Sequence, residues 1–172
     1  MTMATHTSRV KLREAAYFLA GMHQRNGTER LDIAEEFGYF LSAFLSAARS
    51  VSFVLRKENS HTYPAIRDRW LASLDSLSSQ LCRDMVGHRN TALKQGELPV
   101  HDETSFLPWL AYIGNRDNRG RVIQPWMYDS GAQIGVAHFK LETPAGPQDA
   151  VAVCRRYLEH LEGLVKLFET PS

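Results

Sequence analysis

The chain has 172 residues, 44% of them hydrophobic, with 20 Lys and Arg against 19 Asp and Glu, a net charge of +1. That length suits one domain with a core of its own, and the composition excludes a disordered tail, a collagen-like fibre and a disulfide scaffold. A near-neutral total excludes a strongly basic, non-specific polyanion binder, yet a local patch fits within it: Arg outnumbers Lys by 15 to 5, and the guanidinium grips phosphate in bidentate fashion.

Met1 to His6 carries no basic segment ahead of an apolar run. No secretory signal is therefore expected, and a reducing cytoplasm with free Cys82 and Cys154 is the expected setting. Two cysteines cannot form a zinc knuckle, and His23, His61, His101 and His138 lack metal-ligand spacing, so neither a metal nor a cofactor is expected.

The first helix is predicted over about 8–25. Val10, Ala16, Tyr17, Ala20 and His23 are its expected apolar side, and Asn26-Gly27 is a stop signal. The second helix is expected to open between Thr28 and Asp32 and to end near Lys57. Phe37 to Leu55 reads FGYFLSAFLSAARSVSFVL, 19 residues with one charge, Arg49. Its length approaches a membrane span, but Arg49, the scattered serines and charged flanks fit a central bundle helix better. Ser42, Ser46 and Ser50 form a small-residue stripe that lets another helix approach, within the fold or across a dimer.

Pro64 suits the first turn of a third helix. Ile66, Trp70, Leu74, Leu77, Leu81 and Met85 keep helical period and predict one helix that frays between Gly87 and Gly96. Residues 97–147 collect prolines and glycines and read as an irregular insertion. Arg121–Gln124 and Ile134–Leu141 are expected to pair as a small β-hairpin around Asp129-Ser130-Gly131. A last amphipathic helix is predicted over about 148–168 through Val151, Cys154, Leu158, Leu161, Val165 and Phe168. The expected fold class is an all-α bundle of four to five helices, a single domain over 1–172, with the insertion before the last helix.

Chemistry concentrates at the end of the third helix, where Leu81 to Asn90 reads LCRDMVGHRN. Arg83-Asp84, three residues and then His88 resemble the signature of the HEPN superfamily (higher eukaryotes and prokaryotes nucleotide-binding): Arg, four to six residues, His, with Asn, Asp or His favoured after the Arg. The spacing recurs at Arg56–His61 and Arg155–His160, but only Arg83 is followed by a favoured residue. The resemblance covers about 8–95 and the last helix, and leaves 97–147 unmatched. It implies a metal-independent RNA endonuclease of toxin or defence type, in which the RNA 2′-hydroxyl attacks the adjacent phosphate. His88 would move the proton and Arg83 would hold the phosphate. The resemblance also implies a homodimer with both motifs facing one cleft, and an antitoxin or regulatory protein as a possible partner.

Residues five apart on an ideal helix point about 140° away from each other. Arg83 and His88 therefore meet only if the helix loosens near Gly87, if Arg83 curls round, or if a second chain supplies the partner. Asp84 shares a face with His88 and is expected to orient it. Arg89 and Asn90 are candidate RNA contacts. A second candidate surface is Trp109, Tyr112, Arg116, Arg119, Arg121 and Trp126, where aromatics interleave with arginines. The alternative function is a non-catalytic helical interaction or regulatory module.

Overall fold

The computed structural model describes residues 6–27, 33–95, 100–116 and 122–169, with side chains described outside 91–95, 101–116 and 122–135. Along the chain run α1 (His6–Arg25), α2 (Ile33–Glu58), α3 (Tyr63–Ser73), α4 (Ser76–Gln95), β1 (Val100–Arg116), β2 (Val122–Leu141), β3 (Gln148–Asp149) and α5 (Ala150–Glu169). This is an α-helical bundle with an antiparallel β insertion before its last helix, strand order β1-β2-β3.

α2 is the central helix. Phe37, Leu41, Phe44, Ala48, Val51 and Leu55 have no exposed surface, because apolar residues run nearly all round this segment and every neighbour can cover part of it. It is also the one helix among the described residues long and apolar enough to cross a membrane. Its serines Ser42, Ser46 and Ser50 are half-buried, and the Ser50 hydroxyl donates back to the Ser46 carbonyl at 2.8 Å.

α1 lies along α2, but on a different face from the one its sequence suggests. Leu12, Ala15, Leu19 and Met22 are buried, whereas Val10 is 38% and Tyr17 69% exposed. The spacing of three, four and three through Leu12–Met22 makes a continuous apolar stripe, and that stripe takes the core, while Ala16, Ala20 and His23 of the expected side are exposed as well. Gly21 permits the approach: a Cβ there would lie 2.2 Å from the Phe40 ring.

The helix ends where the sequence predicts. Gly27 takes a left-handed φ of +76°, which glycine adopts without steric cost, and its N–H donates to the Ala137 carbonyl at 2.8 Å. Asn26 then ties three elements together. Its amide donates to Asp149 at 2.6 Å and its side-chain oxygen accepts from the Phe139 N–H at 3.1 Å. Phe139 stacks on Phe37 with ring centroids 4.0 Å apart, fixing the base of β2 to the core.

The predicted third helix is two helices. Leu74 is extended, with ψ 152°, and Asp75 starts α4 by accepting the Ser78 N–H at 2.9 Å. A side-chain cap satisfies one of the otherwise unpaired first-turn donors of a new helix. The apolar period continues across the break, which is why it hides it. The second departure is that α4 runs through Gly87 to Gln95 without loosening.

The insertion is more regular than expected. β1 and β2 are 17 and 20 residues long. Arg121 lies outside the described residues, while 122–124 and Ile134–Leu141 belong to the same strand, β2, and pair with β1 rather than with each other. Asp129-Ser130-Gly131 is not the turn. Register jumps from Pro108↔Gln133 to Leu110↔Asp129, so residues 130–132 stand opposite residue 109 alone and form a bulge, a strand irregularity in which glycine recurs. α5 buries Val151, Cys154, Leu161 and Val165 as predicted. It closes against α1 through an Arg9–Glu169 ion pair at 2.6 Å.

Candidate functional site

α4 presents the motif residues on two separate faces. Arg83 is exposed and borders a groove between α2, α3, α4 and α5. There a cavity of about 210 Å³ is lined by Arg49, Ser52, Tyr63, Arg67, Trp70 and Arg83 among others. A second cavity of about 370 Å³ adjoins it, sharing Arg49, Ser52, Tyr63 and Arg67 and adding Arg56 and Asp68.

His88 faces elsewhere. It is half-buried and its Nε2 lies 3.1 Å from the Glu142 carbonyl oxygen, just beyond β2. A carbonyl only accepts, so Nε2 carries a proton, and in the neutral ring Nδ1 is the basic nitrogen. Because α4 stays regular through Gly87, the divergence of about 140° persists. The described chain does not bring Arg83 and His88 together.

Asp84 does not orient His88. Its carboxylate accepts from Gln80 one turn back, at 2.8 Å, while His88, one turn ahead, meets the Glu142 carbonyl instead. Arg89 donates to Asn90 at 3.3 Å, and the buried Arg89 Nε has no hydrogen-bond partner. In the second candidate surface Arg119 and Arg121 lie outside the described residues, as do the side chains of Trp109, Tyr112, Arg116 and Trp126.

The groove brings forward residues the motif does not contain. Arg49, Ser52 and Arg56 recur at i, i+3 and i+7 on α2, one helical face. Tyr63, Arg67 and Trp70 recur at i, i+4 and i+7 on α3. The signal in the sequence was Arg49, the lone charge in an apolar run. It is half-buried and faces Tyr157, whose phenol is pushed up by burial first, with Cys82 adding to the rise and Arg49 opposing it. Cys82, in the same lining, has its thiol pushed up to about 12 by burial. It stays protonated at neutral pH and offers no thiolate nucleophile. Both Cys82 and Cys154 are free and buried.

The groove is thus a donor-rich, cationic concavity, and the His88 contact is a separate feature on the opposite side of one helix. In comparisons with known proteins, the chain matches no family model, no curated protein and no solved structure.

Proposed function

We propose that this chain is a metal-independent RNA endonuclease of toxin or defence type that works as a homodimer. The observation that carries the reading is Arg83 standing with Arg49 and Arg67 around one groove, an arrangement suited to gripping an RNA phosphate. The likeness of Arg83-Asp84 and His88 to the HEPN pattern supports the same reading. The 2′-hydroxyl oxygen attacks phosphorus and the P–O5′ bond breaks, leaving a cyclic phosphate and a 5′-hydroxyl. One imidazole takes the 2′-hydroxyl proton, and another delivers a proton to the departing 5′-oxygen. Arg83 stabilises the charge that builds on the phosphoryl oxygens. Since one chain holds Arg83 and His88 apart, the second copy supplies the imidazole that faces Arg83. Arg89 and Asn90, next to His88, would contact the flanking backbone. An antitoxin or regulatory protein would act by covering this cleft.

The test is RNA cleavage by purified protein in EDTA. His88→Ala abolishes cleavage with the fold intact, and Arg83→Ala lowers it by about a hundredfold or more. Undiminished cleavage by His88→Ala overturns the reading.

A specific observation favours a second reading. His88 is engaged by the Glu142 carbonyl and Asp84 by Gln80, as in a structural helix end. On that reading the chain is a non-catalytic helical interaction or regulatory module. A monomer by light scattering that neither binds nor cuts RNA would decide for it.

A further inference from the structure

Beyond the Arg83–His88 pair, four guanidinium groups from three helices line the adjoining cavities: Arg49 and Arg56 from α2, Arg67 from α3 and Arg83 from α4. Asp68 is the one acid in either lining. It neighbours Arg67 in sequence and sits 3.4 Å from it, with both side chains largely exposed, an arrangement that contributes little. Arg49, Arg56 and Arg83 have no hydrogen-bonded or ion-paired partner among the described residues.

Like charges repel across the concavity, and Arg49, the one of the four that is half-buried rather than exposed, loses solvation that an anion would restore. Arg9 pairs with Glu169 at 2.6 Å and Arg25 with Glu36 at 2.8 Å, whereas among the described residues no acid from another helix pairs with any of the four groove arginines. The remaining polar lining is Ser52, Tyr63 and Tyr157, whose hydroxyls donate as well. A site rich in donors and poor in acceptors suits a ligand made of acceptors with negative charge.

We propose that the groove between α2, α3 and α4 is a phosphate-ester binding site in which Arg49, Arg56 and Arg67 hold one phosphate group and Arg83 holds the next. The aromatic lining sharpens the ligand class. Tyr63 is 6% and Trp70 7% exposed, so neither ring is open for a base to stack on, whereas Phe53 in the wider cavity is 63% exposed and offers a ring face beside the arginines. The volumes, about 210 and 370 Å³, match a ligand of nucleotide size or a short run of single strand, not a duplex. The inference shares Arg83 with the RNA reading but needs neither His88 nor cleavage.

The test is calorimetric titration of the full chain with inorganic pyrophosphate, ADP and a short oligouridylate. Pyrophosphate and ADP are both expected to bind, ADP about fivefold or more tighter, because its base can reach the exposed Phe53 ring. Tighter binding of the oligouridylate identifies an RNA backbone as the source of the phosphates; equal or weaker binding identifies a free phosphate ester. Arg67→Glu, at an exposed position, is expected to weaken binding about tenfold or more. Arg49→Gln deepens the loss, and for the oligouridylate each arginine removed lowers the salt slope by about 0.7. Arg155→Glu, exposed on α5, makes the same charge change away from the groove and is expected to stay within about twofold. An equal loss in Arg155→Glu, or no binding of any probe below about 1 mM, overturns the proposal. Binding that survives His88→Ala in a chain that cuts no RNA upholds the groove and removes the nuclease.

Discussion

The two sides of α4 are built on opposite principles. On the groove side, Arg83 joins Arg49, Arg56 and Arg67 around open volume, and among the described residues Arg49, Arg56 and Arg83 have no hydrogen-bonded or ion-paired partner. On the hairpin side, polar groups are spent on one another: His88 on the Glu142 carbonyl, Asn26 on Asp149 and on the Phe139 N–H. The first side is organised for something outside the chain, the second to hold the chain's own elements in place. A motif that spans five residues of one helix therefore joins two environments, and spacing alone does not reveal which end does chemistry.

Substitutions should separate the sides, stability falling on the hairpin side and binding on the groove side. The largest stability effect is expected for Phe139→Ala, which removes a fully buried ring stacked on Phe37. A loss of about 3–5 kcal/mol in urea unfolding is expected, with phosphate affinity of the remaining folded protein unchanged. An equal drop in affinity would show that the hairpin base and the groove are coupled. Gly21→Ala comes next, because the new Cβ would meet the Phe40 ring at 2.2 Å. The ring must shift, at about 1–3 kcal/mol. Asn26→Ala breaks the Asp149 and Phe139 hydrogen bonds and leaves a strand N–H without its acceptor, for about 1–3 kcal/mol by thermal or denaturant melts. Arg67→Glu sits at the other pole: stability within about 0.5 kcal/mol of the parent, with its effect on ligand affinity.

The smallest effect concerns His160 on α5. Burial lowers its proton affinity, with Arg156 acting the same way and Asp75 and Glu159 opposing, and its Nε2 is buried without a hydrogen-bond partner. A histidine whose folded value lies below the usual ~6.5 binds its proton more readily when unfolded. Stability should therefore fall as pH drops from about 6.5 toward that lower folded value. His160→Phe should flatten the melting temperature over that interval, and an unchanged pH profile would refute the assignment.

The sequence was informative where one face decides the outcome. The Val151–Val165 stripe of α5 and the Asn26-Gly27 stop hold in the structure. On α1 two stripes competed, and only packing against α2 chose Leu12–Met22 over Val10–His23. At Leu74–Asp75 the apolar period ran on in phase while a carboxylate started a new helix, so periodicity concealed a boundary that capping chemistry marks. Asp129-Ser130-Gly131 carried a turn's composition and became a bulge, because composition does not distinguish a chain reversal from two extra residues in one strand. The candidate site divides likewise. Arg83 was visible as part of a string, but Arg49, Arg56 and Arg67 come from helices that converge only after folding.

The knot at Asn26 has a consequence for how the chain is made. Its two side-chain bonds reach Phe139 and Asp149, 113 and 123 residues further along, and Arg9 meets Glu169 at a separation of 160. Contacts of that span form only after the intervening chain exists. During synthesis α1 and α2 can lie together early, but the end of α1 stays untied until β2 and the start of α5 have been made. The Arg9–Glu169 pair and the seam between α1 and α5 thus form only once α5 has been made, and the arginine groove, which needs α5 for its Tyr157 and Leu161 wall, is completed with them. A ribosome-bound chain stopped short of residue 149 would present an open bundle with no finished site.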